Sequence, residues 1–538
     1  MHKQFAVCVL AMVFLAAAAS ADDGRTPGIA HGGPIVHAGG DCITPVERDL
    51  AAAAISDYLA AHPSYGGRTR PLFPFVPLGG TLFSDVLPPG YVDHDPASGF
   101  EDYSCHGFTY DGHKGADFGL HYFSEQAIGV PVFAALDGTV VYYHDGEPDM
   151  STCTCGGLAN ALIIDHGNGL FGWYWHMRNG SVVPRVNDHV TKGEQIGLAA
   201  SSGNSAGPHL HFESTATNDE TQVLDPFVGD CNAGSSGWGD QPALNLTTYI
   251  ADFGFSTQNL SGLPYYPYRL PNTGQMGFDQ FLWFWAQVVN LPPHSTWRQK
   301  YIRPDASVAF DSGDVSFESS QTDFYRVSNW WWYSYYVPDM RTIPGTWHVE
   351  LDINGVQAIS APLEVVPTAD PNFNRPPAAV TLSFEPPQPS PADAIFCRVG
   401  GSQVLDDPDY DLVRFTYTWR RNGQVIRNVV SAGRADAIPA NSLSAGDTVT
   451  CTVVPNDGHV DGPQAMLAAT LPGGCGSADF NCDGDLGTDA DIESFFACLS
   501  GTCPAAPCTS TADFNNDGDV GTDADIAAFF SVLGGGTC

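Results

Sequence analysis

Basic residues are scarce in this chain: 22 Lys and Arg stand against 60 Asp and Glu, a formal charge of −38 at pH 7. Nucleic acids and anionic membrane surfaces require a basic footprint, so both are excluded as partners. Long apolar runs are missing too, apart from one at the start, so no membrane span is expected. That single run, Phe5 to Ala19, follows Lys3 and precedes Ala19-Ser20-Ala21. A basic start, a short apolar stretch and an A-x-A site read as a cleaved signal peptide over residues 1–21. The protein is therefore expected to be exported to the periplasm, the cell surface or the extracellular space. Cys8 sits inside the run and Asp22 follows the cut, which argues against a lipoprotein anchor.

What is present is distributed unevenly. A chain of 538 residues is too long for one core. Residues 22–95 carry one helix, opened by Thr44-Pro45-Val46-Glu47 as a capping box and stopped near Pro63, then a Pro/Gly-rich stretch. Residues 96–235 read as β. Asp137-Gly138 predicts a two-residue hairpin between Val130–Ala135 and Thr139–Tyr143, and Asn168-Gly169 predicts another turn. Residues 236–370 are aromatic-rich and β-sandwich-like, with a turn at Asn354-Gly355. Their run Trp330–Tyr336 is either a sugar-stacking platform or a strand covered on both faces, and the second reading is preferred. In residues 371–474, Cys397 and Cys451 bracket Trp419, which predicts an immunoglobulin-like sandwich with a cross-sheet disulfide. Asp406-Asp407-Pro408-Asp409 reads as an acidic turn rather than a calcium site.

More than half of the 17 histidines fall between His106 and His211. In Gly207-Pro208-His209-Leu210-His211-Phe212-Glu213 two of them are one residue apart, so on a strand both project from one face. Upstream, His113 and Asp117 are four residues apart among glycines, and His176 ends the strand-like Trp173-Tyr174-Trp175. Three of these as ligands leave a catalytic zinc its open fourth position.

His113-x-x-x-Asp117, His176 and Gly203–Glu213 together resemble the M23 peptidases, the lysostaphin/LytM-type zinc endopeptidases that cut peptidoglycan peptides. Gly129-Val130-Pro131-Val132, Ile164–Gly169 and Val190–Gly197 match the same pattern in order, over roughly residues 105–215. The resemblance implies an antiparallel β catalytic domain and one zinc on His113, Asp117 and His211. It implies peptide hydrolysis by a zinc-bound water, on peptidoglycan cross-links or glycine-containing peptides. His209 becomes the general base and His176 the group that stabilises the oxyanion or positions the water, two roles that are exchangeable on this reading. A catalytically silent scaffold and a D-Ala-D-Ala carboxypeptidase-like zinc peptidase are the alternatives. His121 and His166 read as structural. Cys153-x-Cys155 is expected in disulfides to partners such as Cys105 or Cys231, with Cys42 in the same set.

The tail, residues 475–538, repeats itself. Asp479-Phe480-Asn481-Cys482-Asp483-Gly484-Asp485 recurs as Asp513-Phe514-Asn515-Asn516-Asp517-Gly518-Asp519, each copy running into a short amphipathic helix. The pattern resembles EF-hand and dockerin repeats, which implies calcium on Asp479, Asn481, Asp483, Asp513, Asn515 and Asp517 and a surface or protein docking partner. Position twelve is Ala490 or Ala524, so the last ligand is open among the flanking aspartates. Pairing within repeats predicts Cys482–Cys498, Cys475–Cys503 and Cys508–Cys538. The fold class expected is mainly β, with a small α calcium-loop tail.

Overall fold

The computed structural model describes residues 30–31, 41–62, 69–88, 90–216, 219–260, 263, 267–317, 326–401, 406–472, 476–504, 511–515, 519–534 and 536. The signal-like segment lies outside them, as do Cys475, Cys508, Asp517 and Cys538. The chain is mainly β and falls into two units, one of residues 1–36, 246–375 and 409–411, the other of 37–245, 376–408 and 412–538. Among the described residues no helix is long and apolar enough to cross a membrane.

The first unit holds a four-stranded and a six-stranded sheet. Gly345–Ile353 and Val356–Val366 form the expected hairpin, with φ of 51° at Asn354 and 76° at Gly355, both left-handed as a primed turn requires. Trp331, Trp332 and Tyr333 are all buried, so the run is covered on both faces at these positions, as the preferred reading has it.

In the second unit, a seven-stranded antiparallel sheet carries the histidines. Its order runs Asp219–Val223, His209–Ala216, Leu170–Met177, Asn160–Asp165, Gly138–His144, His189–Val190, with Ala116–Gly119 also paired to His209–Ala216. The helix Pro45–Ala61 lies against this sheet, capped by Thr44 and Glu47 as the sequence predicts. It buries Ala51 and Ile55 against Val141, Ile163, Trp173 and Trp175. Asn168-Gly169 does turn Asn160–Asp165 into Leu170–Met177. The Asp137-Gly138 hairpin does not form: Pro131–Phe133 pairs with Gln195–Leu198, and Gly138–His144 pairs with Asn160–Asp165. Gly138 instead permits close approach, since a Cβ there would stand 2.4 Å from the Asp165 carbonyl oxygen.

Residues 376–408 and 412–472 of the same unit form sheets of three and four strands around Trp419, Phe415, Ile395 and Val453. Cys397 and Cys451 are buried there as free thiols, not the predicted disulfide. This sandwich docks on the histidine-bearing part. Phe396 packs 4.6 Å from Phe75 and 5.5 Å from Phe133, ring centre to ring centre. The Arg427 guanidinium donates to Gln195 at 2.7 Å.

Elsewhere the cysteine pairing differs from expectation. Cys105 bonds Cys231, while Cys153 and Cys155 bond each other. In the tail Cys498 bonds Cys503, which excludes both Cys482–Cys498 and Cys475–Cys503. The chain reverses at Gly501, φ 94°, directly after the helix Asp489–Leu499 and returns Cys503 to the helix end. Phe480, Phe495, Phe514 and Phe529 form the shared core of the two repeats.

Candidate metal centre

Strand register assembles the centre. Asp117 sits directly opposite His211, and Gly119 opposite His209, in the pairing of Ala116–Gly119 with His209–Ala216. Opposite residues in an antiparallel pair share a face, so the carboxylate and the two imidazoles meet on one side of the sheet. His113 joins from the turn before the strand. His113 Nε2 is 3.2 Å from His211 Nδ1 and 3.2 Å from Asp117 Oδ1, and His211 Nδ1 is 2.8 Å from the same oxygen. All three side chains are buried.

The outer face of each group is already occupied, which fixes its orientation. The His113 Nδ1–H donates to the Tyr91 carbonyl at 2.6 Å. His211 Nε2 lies 3.3 Å from Glu213 Oε2, and Arg48 binds Glu213 through two 2.7 Å contacts. The Tyr110 hydroxyl donates to Asp117 Oδ2 at 3.2 Å, and its ring stacks on His113. Gly115 makes the crowding possible, because a Cβ there would stand 2.5 Å from His211 Cε1.

His209 and His176 stand beside this trio, their rings 4.5 Å apart. His209 Nδ1–H donates to the Gly207 carbonyl at 2.9 Å, leaving Nε2 3.6 Å from Asp117 Oδ1. His176 Nδ1–H donates to the Ser202 carbonyl at 2.7 Å. A φ of 65° at His176 breaks the strand alternation after Trp175, which brings its ring to the metal-facing side.

Electrostatics separate the two groups of histidines. Burial disfavours the His113 imidazolium, but Asp117 beside it more than compensates and leaves it at about 9. Burial also disfavours the Asp117 carboxylate, yet His113 and His209 hold it well below the usual carboxylate range. His176 is pushed well below an ordinary histidine by burial, reinforced by His209 and His211, and burial lowers His209 as well. The pair is thus neutral at pH 7. Glu213 is lowered to about 2, burial being outweighed by Arg48.

The sequence-derived residues His113, Asp117, His176, His209 and His211 all converge here. His121 and His166 do not: His121 pairs with Glu125, and His166 bonds the Asp137 carbonyl and Tyr174. Sequence reasoning missed Tyr110 and the pair Arg48 and Glu213, which are 165 residues apart in the chain, and it set Cys42 among the disulfides. Cys42 is a buried free thiol 3.1 Å from His211 Nδ1. Of the 14 cysteines all but Cys8 follow the apolar start, an odd number that leaves at least one unpaired, and this was the one signal for it. In the tail, Asp479, Asp483 and Asp491 come together, while Asp491 already accepts from the backbone N–H groups of Phe480, Asn481 and Thr488.

Residues 111–226 match the model of Peptidase family M23. Over 96 residues the chain is 36% identical to the DD-carboxypeptidase/endopeptidase Mpg of Neisseria meningitidis, covering 18% of this chain and 19% of that protein. It is 32% identical over 101 residues to the peptidoglycan DD-endopeptidase ShyA of Vibrio cholerae, covering 19% and 20%. The catalytic domain of the prophage-encoded M23 protein EnpA from Enterococcus faecalis is 27% identical, covering 25% of this chain and 95% of that one at a TM-score of 0.18. The chain spans about a fifth of the length of the two curated relatives.

Proposed function

From the premise that residues 111–226 are an M23 peptidase domain, we propose that the chain is an exported zinc endopeptidase. Its substrates are peptide bonds of peptidoglycan cross-links or similar glycine-containing peptides. The observation that carries this reading is the meeting of His113 Nε2, Asp117 Oδ1 and His211 Nδ1 within 3.2 Å of one another in a buried site. Two imidazole nitrogens and one carboxylate oxygen suit zinc, and the paired outer faces of both histidines supply the orienting partners such ligands need. When bound, zinc supplies Lewis acidity, polarising the scissile carbonyl and acidifying the attacking water.

The protein's own groups then carry the protons. With Nδ1–H committed to Gly207, neutral His209 presents a lone pair at Nε2 and accepts the proton of the attacking water. His176 likewise presents only a lone pair while neutral, because Ser202 holds its Nδ1–H. Its role in the first step is to position that water; it donates to an oxyanion only after receiving a proton. Protonated His209 returns its proton to the leaving amine.

Zinc analysis combined with clearing of purified cell walls tests this assignment. His211→Ala is expected to lose both zinc and clearing. His209→Ala is expected to keep zinc and lose about 10²–10⁴-fold in rate. Undiminished clearing by both variants would sink the mechanism. Release of free D-alanine without cross-link cleavage would favour the carboxypeptidase reading, which the name of the Neisseria relative keeps in play.

Calcium on Asp479, Asn481, Asp483, Asp513 and Asn515 extends the same proposal to the tail, as a docking module for a surface or protein partner. Asp479 Oδ1 supports it, being buried without a hydrogen-bond partner among the described residues.

A further inference from the structure

Cys42 Sγ stands 3.1 Å from His211 Nδ1, and donor atoms of Cys42, His113, Asp117 and His211 all lie within 4.8 Å of one another. All four side chains are buried. Tetrahedral zinc bonds of about 2.0–2.3 Å set neighbouring donors roughly 3.3–3.7 Å apart, so a thiolate here completes a four-donor shell. Three protein donors leave a position open for a reactant. A fourth closes it.

The sulfur is held there by structure on both sides. Ile43, fully buried, packs with Trp173 and Trp175 beneath the sheet. Arg48, one turn into the following helix, binds Asp41 at 2.8 and 3.0 Å and Glu213 at 2.7 Å. One guanidinium therefore ties the residue before Cys42 to the carboxylate behind His211. Independently, His176 Nε2 is buried without a hydrogen-bond partner among the described residues, with its ring 6.1 Å from that of His211.

Resting on the zinc reading above, we propose that Cys42 is the fourth protein ligand of the metal in the full chain. The thiol releases its proton to solvent as the sulfur–zinc bond forms. The thiolate then fills the position that the attacking water and the scissile carbonyl require. The full chain is held latent, and peptide cleavage follows displacement of Cys42.

The full chain loaded with cobalt(II) in place of zinc provides the test. Wild type is expected to show an intense near-ultraviolet thiolate-to-cobalt charge-transfer band, absent in Cys42→Ser, while the visible bands of bound cobalt persist in both. In wild type, mass mapping after iodoacetamide should find Cys42 protected by zinc and labelled after chelation, an arm that needs no variant to fold. Wall clearing by Cys42→Ser should rise by about tenfold or more, the factor recovered when a competent state populated at a tenth or less is freed. Full cobalt occupancy without the charge-transfer band overturns Cys42 ligation and leaves the zinc reading intact. A chain that takes up no metal overturns both. A band present with no clearing by either protein supports the ligation and sinks the hydrolase reading instead.

Discussion

His166 is buried between the Asp137 carbonyl and the Tyr174 hydroxyl, and burial lowers it from 6.5 to about 4. As pH falls below about 6.5 the unfolded chain takes this proton first. Stability is therefore complete above that pH and is lost progressively as pH drops towards 4, by about 3 kcal/mol from this group. Urea titrations at pH 7 and pH 4.5 should show a smaller loss for His166→Gln than for wild type; an equal loss would remove His166 as an acid-sensitive element. The same scale shows why the site was partly legible. His209 and His211 were readable because strand alternation is a local rule, and His113 and Asp117 because a four-residue spacing survives in the turn. Arg48 and Glu213 are 165 residues apart in sequence, and nothing local marks them as a pair. Cys42 obeyed a general expectation for exported cysteines and was misplaced by it.

Loops and helices followed their end signals more faithfully than their pairing signals. Thr44 and Glu47 cap a helix from Pro45 to Ala61, as a capping box dictates from four residues alone. The Asp137-Gly138 step carried a hairpin signature and yet serves a crossing between sheets, because Gly138 is needed for proximity rather than for its turn. In the tail, the repeated Asp-x-Asn-x-Asp pattern left its last ligand open. Asp491 accepts from Thr488, Phe480 and Asn481 and so caps the helix Asp489–Leu499 while closing the loop on it. Circular dichroism and calcium titration separate the two duties. Asp483→Ala should weaken calcium binding about tenfold or more with the apo helix content unchanged. Asp491→Ala should cost about 1 kcal/mol of helix stability without calcium. A wild-type tail that binds no calcium would refute the loop assignment, and unchanged helicity in Asp491→Ala would refute the cap.

At the scale of the molecule, domain borders proved the least legible feature, because they depend on which surfaces meet. Residues 371–474 read as an immunoglobulin-like sandwich with a core of its own. Instead Phe396, Ala435 and Ala437 share a core with Phe75 and Phe133. Phe396→Ala should cost about 3–5 kcal/mol and lower the melting of the sandwich and the histidine-bearing sheet together. Separate transitions with only the sandwich affected would show that the docking carries no cooperativity. The disulfide Cys105–Cys231 brackets the family-matched segment 111–226 from outside both of its ends, and the counterion of Glu213 comes from Arg48, earlier still. Inheritance and folding thus draw different borders. A fragment trimmed to the recognisable homology would keep His113, Asp117 and His211 but lose Cys42, and with it the clasp and the charge partner that hold the site. The smallest heritable piece of this protein is not its smallest stable one.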